Sequence, residues 1–214
     1  MESRNVKAVI FDMDGVLIDS ESFYMKNNRS FLEKHGKTVT EEDLYRVVGT
    51  PVATTNKMLH SYLSDEYSLE EVVELAHQHW QTVSVDYKDI MNEGVKEVLA
   101  WLKSKDYLLA IASSSGISHI NKVAKQCGIA SYFDVLLTGD MFEKSKPDPE
   151  IYLTAAKMLN VDVNQCIVIE DSVYGIEAGK RAGMEVIALK EPFGHDQSLA
   201  DIRVDSLLEI IDYI

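Results

Sequence analysis

Five short apolar runs punctuate the chain: KAVIF (7–11), YLLAIAS (107–113), FDVLLTG (133–139), CIVIE (166–170) and EVIALK (185–190). Each is almost continuously hydrophobic rather than alternating, the pattern of parallel strands covered on both faces. The segments between the later runs carry helical punctuation. Gly128 at the end of HINKVAKQCG predicts a left-handed stop. In KPDPEIYLTAAKMLN, Asp148 is placed to cap a helix whose first position is Pro149. Strands alternating with helices predict an α/β fold, a doubly wound parallel sheet of Rossmann type. Near the C-terminus, ADIRV reads as a last edge strand before a short helix.

Residues 18–87 break this alternation. They show no strand pattern but several helix signals: ESFYMKNNRSFLEKHG closing on Gly36, TEED at 40–43 resembling a capping box with Asp in place of Glu, and SLEEVVELAHQHW opening on Ser68 and Glu71. The expected organisation is an α/β core of residues 1–17 and 88–214, with an all-helical domain of residues 18–87 inserted after the first strand.

Composition is that of an ordinary globular protein, with 46% hydrophobic and 26% charged residues in 214. The formal net charge of −14 argues against a nucleic-acid or anionic-membrane partner. Two cysteines, Cys127 and Cys166, lack metal spacing and read as reduced thiols. The N-terminal apolar run is broken by Asp and does not read as a signal peptide, and no run reaches the roughly 20 residues of a membrane span. The expectation is a soluble, cytoplasmic monomer.

The chemistry gathers where the strands end. VIFDMDG stops an apolar run on Asp12 and Asp14, then turns at Gly15. The second strand delivers Ser113, the fourth Glu170 and Asp171, and the loop after the third carries Lys146. In an open α/β sheet the ligand crevice lies outside the carboxyl ends of the strands, so these groups are expected to converge. Four carboxylates in one crevice raise one another's pKa unless a cation joins them. Oxygen ligands without His or Cys suit Mg²⁺, which commonly keeps positions for substrate phosphate. Ser113, backbone amides and Lys146 then supply donors for phosphoryl oxygens, and a carboxylate beside such a group can attack it.

Other patterns are set aside. An EF-hand would need a bidentate Glu where Phe23 stands, and a nucleophile elbow would need Gly where Ala112 stands. GIEAGKRAG has short glycine spacing and Arg181 in place of the Ser or Thr of a phosphate loop, so Gly175, Gly179 and Gly183 read as close helix packing. His77 and His79, two apart on a helix, point to different sides.

Taken in order, FDMDGVLIDSE, IASSS, KSKPDPE and VIEDSVYGIEAGKRAGM resemble the four motifs of the haloacid dehalogenase superfamily of phosphotransferases. The helical insert resembles that superfamily's cap, and the β-phosphoglucomutase-like subfamily is the nearest match. The resemblance implies that Asp12 is the nucleophile and a Mg²⁺ ligand. It implies Asp14 as general acid and base, with its carbonyl on the metal. Ser113, Ser114 through its amide, and Lys146 would bind the phosphoryl group, and Asp171 with Glu170 would complete the metal site. The implied partner is a small phosphate monoester, such as a sugar phosphate.

Two activities of that subfamily differ in the acceptor: water for a phosphatase, a sugar hydroxyl for a mutase. The mutase pattern has His shortly after the first motif and Arg in a cap loop. Here Tyr24 stands near the first position and VVGTPVATT has no Arg, which favours the phosphatase. Gly49, Thr50 and Pro51 in that loop are candidate substrate contacts by position. A phosphoacceptor receiver, a signalling switch, shares the acidic pair, the hydroxyl and the lysine. It is shorter and has no helical insert, so that class fits less well.

Overall fold

The computed structural model describes residues 5–50 and 52–214. In chain order the elements are β1 (Ala8–Phe11), α1 (Ser20–Lys34), α2 (Glu41–Tyr45), α3 (Val52–Leu63), α4 (Leu69–Thr82), α5 (Val95–Ser104), β2 (Leu108–Ser113), α6 (Ile117–Cys127), β3 (Val135–Thr138), α7 (Glu150–Leu159), β4 (Cys166–Glu170), α8 (Val173–Arg181), β5 (Glu185–Leu189) and β6 (Ile202–Val204). They form two compact units, one of Met1–Asp19 with Tyr87–Ile214 and one of Ser20–Asp86.

The first unit carries a six-stranded sheet in the order β3-β2-β1-β4-β5-β6, every pair parallel. The chain winds outward from β1 to β3, then restarts beside β1 with β4. This reversal puts a crevice at the carboxyl ends of β1 and β4. Register aligns the two strands so that Phe11 pairs with Ile169. Asp12 follows Phe11 and Glu170 follows Ile169, so two carboxylates leave the sheet side by side. All residues of β1 and β4 are buried, which is why their sequences show no alternation. Ile10, Ala110, Ala112, Leu137, Val168 and Val186 pack against Tyr152, Ala155 and Ala156 of α7. Each large aliphatic removed from water there contributes roughly 1.5–3 kcal/mol.

The helical unit has its own core of Phe31, Leu32, Val39, Leu44, Leu59, Leu63, Val72 and Ala76. Its caps follow the sequence. Thr40 accepts the Asp43 N–H ahead of α2, and Ser68 and Glu71 form a reciprocal capping box ahead of α4. Gly36, φ +71°, follows α1 as expected of a left-handed stop, and Gly128, φ +68°, closes α6 in the first unit.

Three local expectations shift. Helix α7 begins at Glu150, with Pro149 at its cap position and Asp148 Oδ1 accepting the Glu150 N–H at 3.1 Å. Pro149 itself has helical backbone angles, φ −76° and ψ −3°, so the Asp148 bond still serves the first free N–H of the helix. Gly183 is not a packing glycine: a β-carbon there would meet nothing within 4 Å, and its φ of +78° marks the turn after α8. Edge strand β6 forms as expected, but the helix after it, Leu207–Asp212, is 3₁₀. No helix among the described residues is long and apolar enough to cross a membrane.

Candidate active site

Asp12 is carried on a backbone already fixed by the sheet, since its N–H donates to Ile169 O at 2.9 Å. Lys146 reaches the same spot from the loop before α7. Its Nζ donates to Asp12 Oδ1 at 2.5 Å, to Glu170 Oε1 at 2.7 Å and to Ala112 O at 3.0 Å. These three bonds use all three of its protons.

Glu170 is fully buried and collects five donors. Its Oε1 accepts from Lys146 and from Tyr152 Oη at 2.8 Å. Its Oε2 accepts the Asp171 N–H (3.0 Å), the Ser172 N–H (3.1 Å) and Ser172 Oγ (3.0 Å). The last two tie it to the start of α8, where the helix dipole favours an anion. Gly175 makes room: a β-carbon there would lie 1.7 Å from Glu170 Oε1. Burial opposes the charge of Glu170, yet Lys146 and these hydrogen bonds hold its pKa below the usual value. Burial also opposes the Lys146 charge, and Asp12 and Glu170 outweigh it, keeping the amine protonated.

One ammonium cannot serve every carboxylate present. Burial pushes the Asp12 pKa up to about 7, and Glu170 and Asp14 add to the rise while Lys146 resists it. Asp12, Glu170 and Asp171 each offer an oxygen, all within 4.8 Å of one another. The pocket is therefore short of positive charge at a cluster of hard oxygen donors, which fits a divalent cation such as Mg²⁺. Among the described residues no other such cluster of acidic, His or Cys groups occurs.

Asp14 faces the second strand. Its Oδ2 accepts from Ser115 Oγ at 2.8 Å and from Ser113 Oγ at 3.4 Å. Ser113, buried at the end of β2, also accepts the Ser115 N–H at 3.0 Å. The Ser114 side chain is exposed. Gly139 lets the chain after β3 pass its backbone, since a β-carbon there would lie 2.5 Å from Ser114 O. Thus Asp12, Asp14, Ser113, Ser114, Lys146, Glu170 and Asp171 gather at the carboxyl ends of β1, β2 and β4.

Several contributors escape the sequence. Ser115 could have been suspected from the run of three serines. Asn92 Nδ2 binds Gly15 O at 2.9 Å and Val16 O at 2.8 Å, holding the turn after Asp14. Buried Gln197 binds Asp171 O at 2.7 Å and Leu189 O at 2.8 Å. Tyr152 and these two amides act across 18 to 77 residues of chain, and no local pattern announces them.

Gly49 and Thr50 belong to the helical unit. Gly49 has φ +66° and Thr50 Oγ1 donates to Val47 O at 2.8 Å. Both line a hollow of about 580 Å³ with Glu21, Tyr24, His77 and Trp80. Its lining among the described residues contains no lysine or arginine. Pro51 lies outside the described residues. His77 lines this hollow while His79 is buried, its Nδ1 3.2 Å from Lys34 Nζ, so the two do point apart.

The haloacid dehalogenase-like hydrolase family matches residues 9–189. A phosphorylated carbohydrates phosphatase from Thermotoga maritima is 38% identical over 184 residues, 85% of this chain and 84% of that protein. Hexitol phosphatase B from Escherichia coli is 30% identical over 212 residues, 97% of this chain and 95% of that one. A crystal structure from Thermotoga maritima, provisionally named a β-phosphoglucomutase, superposes with a TM-score of 0.81 at 34% identity, covering 97% of this chain and 98% of that one.

Proposed function

The chain belongs to the haloacid dehalogenase-like hydrolases, an enzyme of their phosphatase and phosphomutase branch, and from that premise we propose that it is a Mg²⁺-dependent phosphatase of small phosphate monoesters, sugar phosphates foremost. The observation that carries the proposal is the charge-deficient cluster at the ends of β1 and β4. There, buried Asp12 sits beside the Lys146–Glu170 pair with its pKa raised by burial.

In this mechanism a carboxylate oxygen of Asp12 attacks phosphorus and the bond from phosphorus to the ester oxygen breaks. Asp14 gives its proton to the departing oxygen, leaving an aspartyl phosphate on Asp12. Asp14 then takes a proton from water as the water oxygen attacks phosphorus, releasing inorganic phosphate and restoring Asp12. The Ser114 N–H and Ser113 Oγ, once its single proton turns away from Asp14 Oδ2 and leaves that oxygen to Ser115, hold phosphoryl oxygens. Lys146 contributes its charge, and its Asp12-facing N–H can turn to a phosphoryl oxygen once Asp12 is engaged.

Asp12, Asp171 and the Asp14 carbonyl would hold Mg²⁺, which when bound offsets negative charge on the phosphoryl oxygens. Glu170 belongs to this site mainly as counter-charge to Lys146, because five donors already occupy its oxygens. The helical unit serves as a cap that selects substrate. The absence of Arg from its loop VVGTPVATT, and Tyr24 in place of a His, support water over a sugar phosphate as acceptor, because a mutase must retain a doubly phosphorylated intermediate.

The test is phosphate release from a panel of monoesters with Mg²⁺ and with EDTA, alongside isomerisation of β-glucose 1-phosphate. Mg²⁺-dependent release that vanishes in Asp12→Asn is expected. Efficient isomerisation without hydrolysis would make the enzyme a mutase, and full turnover by Asp12→Asn would remove the nucleophile assignment.

A further inference from the structure

The Asp14 carboxylate is flanked on two sides. Ser113 and Ser115 hold Oδ2, as above, while Oδ1 lies 3.8 Å from His119 Nε2 in the first turn of α6. His119 Nε2 is itself buried and makes no hydrogen bond. The other ring nitrogen, Nδ1, is 3.3 Å from Tyr87 Oη, with the two rings edge to face at 5.3 Å. Tyr87 is in turn anchored to the far end of the same helix, its N–H donating to Gln126 Oε1 at 3.1 Å and its carbonyl accepting from Cys127 Sγ at 3.4 Å.

We infer that His119, oriented by Tyr87, is a positioning residue that sets the plane of the Asp14 carboxyl group for proton transfer to the leaving oxygen. The tautomer follows from the contacts. Burial, and then the nearby Asp14 charge, keep the Tyr87 phenol protonated, so Tyr87 donates and Nδ1 accepts. The imidazole proton is then on Nε2, directed at Asp14 Oδ1. At 3.8 Å the pair is longer than a hydrogen bond, and catalytic hydrogen bonds of this kind commonly tighten when substrate closes the site. Serine hydroxyls fix the position of one carboxyl oxygen, and a donor on the other fixes the plane of the group.

The inference rests on the proposed role of Asp14 as general acid, and leaving-group basicity separates the two. Phenyl phosphate and p-nitrophenyl phosphate have similar bulk, but phenolate gains far more from protonation as it leaves than p-nitrophenolate does. His119→Ala is expected to lower kcat/KM for both esters, with the loss for phenyl phosphate larger by roughly tenfold. His119→Gln, which keeps an N–H donor near the Nε2 position, is expected to recover most of that difference, and Tyr87→Phe to fall between. Unfolding midpoints of all variants show whether each remains folded. Equal losses on the two esters, or a Gln variant no better than Ala, would overturn the role of His119 alone. A wild-type enzyme releasing phosphate from no monoester, these two and the sugar phosphates alike, would overturn the phosphatase reading and this inference with it.

Discussion

Gly15 and Asp171 approach so closely that a β-carbon on Gly15 would lie 2.0 Å from Asp171 Oδ2. Gly15 also has φ +88°, where any other residue is strained. The turn after Asp14 can therefore pass over the Asp171 carboxylate only without a side chain. Gly15→Ala is expected to displace Asp171, weakening Mg²⁺ binding at least tenfold by calorimetry. The strain and the clash together are expected to destabilise the fold by roughly 1–3 kcal/mol. Unchanged Mg²⁺ affinity would mean that Asp171 is not a ligand.

Lys146 and Tyr152 both donate to Glu170 Oε1, but their removal is expected to cost very different amounts. Lys146→Met strips the ammonium shared by two buried carboxylates, a loss of roughly 3–5 kcal/mol. Tyr152→Phe keeps the ring packing and leaves Glu170 with four of its five donors, costing about 1 kcal/mol. Urea unfolding of the two variants should preserve that order. Phosphatase activity should vanish in the first and persist in the second. Equal destabilisation would mean that the Lys146 charge is not what stabilises the cluster.

The raised pKa of Asp12, about 7 because of burial, predicts a pH signature with a definite sign. Between the usual carboxylate value and about 7, the folded protein without Mg²⁺ binds a proton that the unfolded chain has released. The stability that this proton confers is present at low pH and lost as pH rises through about 7. Thermal midpoints in EDTA, taken relative to Asp12→Asn, should fall over that window. Because Mg²⁺ must displace the same proton, its apparent affinity should rise with pH up to about 7 and then level off. A flat profile relative to Asp12→Asn would remove Asp12 from the titration.

In the helical unit, Thr50 spends its hydroxyl proton on Val47 O at 2.8 Å and can offer substrate only acceptance. Thr50→Ala is therefore expected to raise KM for preferred monoesters about threefold to tenfold, one hydrogen bond's worth, with kcat little altered. Steady-state kinetics over the monoester panel would check this. An unchanged substrate profile would take Thr50 out of substrate recognition.

The haloacid dehalogenase-like core was legible because its signals are local. Apolar runs without alternation mark strands covered on both faces, and Asp12, Ser113 and Glu170 stand at strand ends, where parallel topology forces convergence. Ser68 and Glu71 announce a helix start within four residues, since both capping bonds close inside one turn.

What the sequence by itself determined is that Asp12, Asp14, Ser113, Lys146, Glu170 and Asp171 stand at or after strand ends, where parallel topology brings them to one crevice. Tertiary structure alone decided how they divide the work. One lysine shared between Asp12 and Glu170 sets the charge deficit. Tyr152 and Ser172 occupy Glu170, and Asn92 and Gln197 brace the turn and Asp171. His119 comes to Asp14 from a helix about a hundred residues away in the chain. Hydrogen bonds and burial in a crevice depend on distances between segments that the linear order does not encode, and they set each carboxylate's protonation and partner.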